Sequence, residues 1–190
     1  MRVVRSRNLT APGLIALMVV AACARPASPP TIPADAVPSV PTRIRTIDAA
    51  TLANDAIDRE GFLALLDEAG FIAATERSGT DRPHGLDRVI VRALAFDSAE
   101  GASTALAWFR AHASDILGSA EQVSEIQVDG VGEAVPVFRH TPSDCCPKAT
   151  VAYLAAWRED TTVITLEMAG AAVAPEDVAA AASSVRIVEA

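Results

Sequence analysis

Six prolines (Pro26, Pro29, Pro30, Pro33, Pro38 and Pro41) fall between Ala24 and Thr42 with no apolar periodicity, and they limit where this 190-residue chain can fold. Proline lacks the backbone donor that helix interiors and central strands use, and it favours the extended polyproline form at about 3.1 Å per residue. Residues 23–43 therefore read as a disordered, Pro/Ala-rich tether able to reach about 60 Å. A proline-rich ligand for another domain is the functional alternative, but no charged PxxP pattern accompanies it. Residues 44–190 remain for a core, long enough for a single domain that buries roughly 68–70% of its unfolded surface.

Upstream of the prolines, Arg2, Arg5 and Arg7 stand with no acidic residue, followed by an apolar run from Leu14 to Val20 and the small residues Ala21 and Ala22. This is the three-part layout of a secretory signal. The run is too short for a bilayer, which needs about 20 consecutive apolar residues, and Pro12-Gly13 interrupts its start. Arg5 and Arg7 are split by Ser6, so the twin-arginine route is not supported.

The boundary Val20-Ala21-Ala22-Cys23 resembles the lipobox of bacterial lipoprotein precursors: an aliphatic residue, two small residues, then a cysteine. The resemblance implies a signal peptide of residues 1–22, cleavage before Cys23, and a diacylglyceryl group with an N-acyl chain such as palmitate on Cys23. Two acyl chains suffice for stable attachment, each buried CH₂ contributing about 0.8 kcal/mol. The expected place is the extracytoplasmic face of the cell membrane, lipid-anchored. An ordinary signal peptide cut near Ala22 or Ala24, with Cys23 incidental, is the alternative. The rest of the chain loosely resembles uncharacterised actinobacterial lipoproteins of similar layout, and its single lysine, Lys148, amid abundant alanine and arginine fits a GC-rich source. No site is carried over from that resemblance.

The formal net charge of −8 becomes more negative once Arg2, Arg5 and Arg7 are lost. Nucleic acid is thereby disfavoured, since its phosphates need a Lys/Arg patch that the sequence lacks. The expected partners are the membrane through the anchor, and an envelope protein or a small apolar ligand.

Asp58 opens a convincing helical pattern through Phe62, Leu63, Leu66 and Ala69, with Gly70 placed to close it. Phe71 to Arg77 reads as a strand followed by turn residues Ser78 to Asp81. Leu86 to Phe96 is the best strand in the chain, with apolar residues on both faces, and should be central in the sheet. Arg92 shares the face of Ile90 and needs a carboxylate partner that the sequence does not identify. Asp97 to Glu100 suggests a capping box for a helix reaching Leu117, with Trp108 and His112 on a side stripe. Strands are expected at 121–128, 133–140, 149–157 and 161–168, the last two as a hairpin, before a helix starting at Pro175. The fold class is therefore α+β: a mostly antiparallel sheet packed by about three helices.

Cys145 and Cys146 are the thiols left once Cys23 is lipidated. Four readings stand: a vicinal disulfide, two reduced thiols, a bridge to another chain, or a soft-metal or redox site with His140. An adjacent pair spans about 3.8 Å between Cα atoms, below the usual 4.4–6.8 Å, so such a disulfide is strained. Zinc-site spacing and a Cys-X-X-Cys helix start are both absent. So are HExxH, G-x-S-x-G, GxxxxGK[ST] and GxGxxG patterns. No catalytic or metal residue is assigned and no cofactor is expected beyond the lipid on Cys23. Trp108, His112 and Trp157 are the candidate pocket residues. The expected role is a non-catalytic binding module for a small ligand, lipid or protein, with a thiol or redox accessory using Cys145 and Cys146 as the alternative.

Overall fold

The computed structural model describes residues 30–35, 40, 42–54, 56–117, 123–129, 135–140 and 150–186. Cys23, Cys145 and Cys146 lie outside them. The strands are β1 (Thr42–Ile47), β2 (Phe71–Asp81), β3 (Leu86–Phe96), β4 (Val123–Ile126), β5 (Val137–His140), β6 (Val151–Glu159) and β7 (Thr162–Gly170). They form one sheet in the order β1-β2-β3-β7-β6-β5-β4, every neighbouring pair antiparallel. The helices are α1 (Ala49–Ala53), α2 (Arg59–Glu68), α3 (Ala99–Ala111), α4 (Ala113–Leu117) and α5 (Pro175–Ser184). The architecture is α+β, as the sequence predicts.

Side chains alternate across a strand, so β3 divides its apolar residues between two cores. Val89, Val91 and Ala93 pack with Tyr153, Ile164, Leu166 and Met168 beneath α5, which contributes Val178 and Ala181, with Val185 at its C-cap. Leu94 and Phe96 point the other way, to Phe62 and Leu66 of α2 and Ala102, Ala105 and Phe109 of α3. Ala113 and Leu117 of α4 close over Leu154 on that same side. Between β2 and β7, and covered on both faces, β3 is an interior strand as expected, although the middle of the seven is its neighbour β7.

Local signals explain where the helices begin. Asp48 accepts from the Thr51 amide at 2.7 Å and Asp58 from the Gly61 amide at 3.0 Å, capping α1 and α2. Gly70 ends the α2 region with φ 69°, the left-handed conformation glycine supplies cheaply. Pro175 opens α5, and Asp177 accepts from the Ala174 amide at 2.8 Å.

Several expectations are corrected. The cap of α3 is Ser98, accepting from the Gly101 amide at 3.1 Å, in place of Asp97. That helix does not run through to Leu117: His112 caps α3 and α4 follows. Ser78 to Asp81 continue β2 rather than turning. The later strands fall at Val123–Ile126, Val137–His140, Val151–Glu159 and Thr162–Gly170, with Pro136 just ahead of β5. The β6–β7 hairpin forms, with Asp160 at φ 49° in its turn.

The folded unit also reaches into the expected tether of residues 23–43. Thr42 and Arg43 belong to β1, and Ile32 is fully buried against the α5 side of the sheet. The buried Arg77 of β2 fixes that segment: Nε and Nη2 donate to the Ile32 carbonyl at 3.0 and 2.8 Å, and Nη1 donates to Thr42 Oγ1 at 3.0 Å. Two charge-assisted donors on one carbonyl, with an aliphatic side chain in the core below, make a clasp.

Candidate functional site

The antiparallel register sets Arg45, Glu76, Arg92 and Thr165 side by side across β1, β2, β3 and β7. Directly opposed side chains on one face of a sheet lie about 4.5–5.5 Å apart at Cβ, which lets long polar groups meet. Arg45 donates to Glu76 Oε1 from Nε and Nη2, both at 2.8 Å. Arg92 Nε reaches the other oxygen of Glu76 at 2.9 Å, and its Nη1 reaches Glu167 Oε1 at 3.2 Å. Arg88 Nη2 completes the chain at Glu167 Oε2, 2.8 Å away. Arginine and glutamate thus alternate through five side chains.

The three inner groups are buried: the side chains of Glu76, Glu167 and Arg92 are 3%, 9% and 10% exposed. Arg45 and Arg88, at the two ends, remain about half exposed. Burial pushes the Glu76 carboxyl up, but the hydrogen bonds and charges of Arg45 and Arg92 outweigh it and hold the group below its ordinary range. Both glutamates have an arginine on each oxygen. This is the carboxylate partnership that Arg92 requires.

Above this charged floor the helices leave a cleft of about 350 Å³. Leu52 and Ala56 wall it from the α1 side, Phe62 from α2, Trp108 and Phe109 from α3, and Ile116 from α4, with Ile90 and Leu154 contributed by the sheet. Trp108 is held between two rings, stacked on Phe62 with centroids 4.3 Å apart and on His112 at 4.2 Å. The His112 ring is placed by its Nδ1 on the Trp108 carbonyl, 2.9 Å away. A groove of about 820 Å³ beside α3, lined by Leu106, Arg110, Glu125 and Phe138, is more open and has no comparable buried polar floor.

Of the three candidate pocket residues, Trp108 lines the cleft and His112 backs it from behind without lining it. Trp157 does not join them. It sits opposite Ile164 and packs with the α5-side core, because odd-numbered residues of β6 face that way. Its indole N–H donates to Glu159 at 3.3 Å. His140 ends β5 and does not line the cleft, and Cys145 and Cys146 lie outside the described residues. Among the described residues, no group of three or more His, Cys, Asp or Glu is placed to hold a metal ion. Glu76, Glu167, Arg45 and Arg88 were not singled out by the sequence reading.

No protein-family model matches the chain, and no curated protein matches it significantly. Among solved structures it is similar to the extracellular domain of PknH from Mycobacterium tuberculosis, at 11% identity and a TM-score of 0.44, over 83% of each chain. A similarity that low transfers no ligand, partner or role. No helix among the described residues is long and apolar enough to cross a membrane.

Proposed function

We propose that this protein is a membrane-anchored, extracytoplasmic binding domain that holds a small ligand in the cleft between the sheet and α1 to α4. The observation that carries the reading is the cleft itself: apolar walls from four helices over a floor of buried, mutually paired charges. Burying three ionic side chains, Glu76, Arg92 and Glu167, costs desolvation, and well-packed apolar residues in their place are often as stable or more so. A fold that keeps them there at the bottom of a concavity has the arrangement expected of a ligand site, apolar with a few placed polar groups.

The chemistry of the floor favours binding over catalysis. A general acid needs a carboxyl raised towards neutral pH, whereas Glu76 is held low. Among the described residues, Thr165 is the sole hydroxyl side chain in the lining and no histidine contributes to it. Amide chemical shifts of the mature chain, recorded while a set of small fragments is added, test this directly. Perturbations gathered on the Trp108 indole, Ile116 and Leu154 are expected; a diverse set that leaves those signals unmoved refutes the reading.

The anchor is part of the same proposal, resting on Val20-Ala21-Ala22-Cys23. Cys23→Ala is expected to leave an unprocessed or released chain, read by membrane fractionation and intact mass. A correctly cleaved variant that stays with the membrane refutes lipidation at Cys23.

A further inference from the structure

The composition of the cleft narrows what it takes. Among the described residues its charged lining comprises Arg45, Arg88 and Arg92 with Glu76 and Glu167. The two signs are not spread evenly. The carboxylates lie deep and are each bridged by two arginines, while Arg45 and Arg88 stand half exposed at the rim. An anion arriving there meets guanidinium groups first, and the low-dielectric apolar wall beside them strengthens the attraction. A cation would have to reach glutamates whose oxygens are already taken.

The wall decides the rest of the ligand. An aromatic body would gain most by stacking on Trp108, but Phe62 and His112 already occupy both faces of that ring. What remains is the indole edge together with Leu52, Ala56, Ile116 and Leu154, surfaces that suit an aliphatic chain. At the roughly 30 Å³ that one water molecule takes up in the liquid, the volume of about 350 Å³ accommodates on the order of a dozen water-sized groups.

We infer that the ligand is a small amphiphilic anion, a carboxylate or phosphate monoester head engaged by Arg88 at the rim with an aliphatic body lying along the Trp108 edge. The inference rests on the binding reading above and deepens it. The head adds charge-assisted hydrogen bonds to an arginine that stays paired below, so the buried network need not be broken for the ligand to enter.

The chain has two tryptophans, Trp108 and Trp157, so Trp157→Phe leaves Trp108 as the reporter inside the cleft. The mature full-length chain carrying that change is titrated with decanoate, decyl phosphate, 1-decanol and decyltrimethylammonium, all as monomers. Calorimetry on the unsubstituted chain runs beside it, so the result does not depend on the variant folding. One of the two anions is expected to bind at least about tenfold more tightly than the alcohol or the cation, the tighter of the pair naming the head group. Arg88→Gln should weaken that anion about tenfold and leave 1-decanol within about twofold. Decanol bound as tightly as either anion, or the cation bound best, overturns the anionic assignment while leaving the cleft a binding site. Silence from all four probes in both measurements also overturns it, and the fragment titration then decides separately whether the cleft binds anything.

Discussion

Replacing Arg92 with methionine tests the physical account of the cleft floor most directly. Arg92 links both buried glutamates, at 2.9 Å to Glu76 and 3.2 Å to Glu167, from a side chain only 10% exposed. Removing one partner of a buried ion pair costs about 3–5 kcal/mol, because a charge is left in low dielectric without compensation. Here each glutamate keeps a second arginine, Arg45 or Arg88, and both of these are half solvated. The loss at neutral pH should therefore sit at the lower end, about 3 kcal/mol. In a domain of this length that corresponds to roughly 6–12 °C in Tm.

The pH dependence of that loss is the sharper readout. The Glu76 carboxyl is lowered in the folded state, so it contributes stability above the ordinary glutamate value of about 4.3, and that stability is lost as pH falls through the folded value. Without Arg92 the Glu76 carboxyl loses one of the groups that hold it low and protonates more readily, which relieves the uncompensated charge. The difference between wild type and Arg92→Met should be largest above about pH 5 and shrink towards pH 4 and below. Urea unfolding at neutral and acid pH, with the denaturant slope checked for constancy, measures both. The triple variant Arg92→Met, Glu76→Gln, Glu167→Gln should regain most of the neutral-pH loss, since no buried charge is then left alone. A cost under about 1 kcal/mol, or one of equal size at pH 7 and pH 4, refutes the assignment of these groups as a buried, ionised network.

Two other outcomes follow from the α5 side of the sheet. Ile32→Ala should destabilise the domain by about 2–4 kcal/mol in the same urea assay, a large effect for a residue within a proline-rich stretch, and an effect near zero means that the segment does not dock. The single tyrosine, Tyr153, is buried, and desolvation raises its phenol above the ordinary value, with Arg139 opposing and Glu176 and Asp177 adding. A raised value favours the protonated form, so its contribution is present below about pH 10 and lost as pH rises through the folded value. Ultraviolet titration of the tyrosinate should give a midpoint above that of free tyrosine; an equal or lower midpoint contradicts the burial.

The parts of the fold that were legible share a physical origin. The Leu86–Phe96 strand carries apolar residues on both faces, and the helix after Asp58 carries a cap and a spaced apolar stripe, so pattern and burial agree. β1 was not legible. As an edge strand it buries only Ile47 and exposes Arg43, Ile44, Arg45 and Thr46, which leaves no alternation to detect. Ile32 is similar, a lone apolar residue with no period. The cleft floor depended on register. Glu76 and Arg92 each lie eight residues from His84, so a hairpin centred there sets them opposite one another. Treating Ser78 to Asp81 as the turn ends β2 early and hides that pairing. Trp157 shows the reverse error: an aromatic noticed for its type, on a strand face that parity assigns to the other core.

The clasp of Arg77 on Ile32 changes the geometry of attachment. With Cys23 as the proposed anchor, chain paid out as far as residue 43 would let the domain roam as on a long leash. Docking at Ile32 leaves seven residue steps from Cys23 to Pro30, at most about 25 Å of contour. The leash enters on the α5 side, and the cleft opens on the other side of the sheet. On the proposed anchor, so short a mooring would hold the α5 face nearer the lipid and leave the cleft on the far side of the sheet, towards solutes arriving from outside the bilayer.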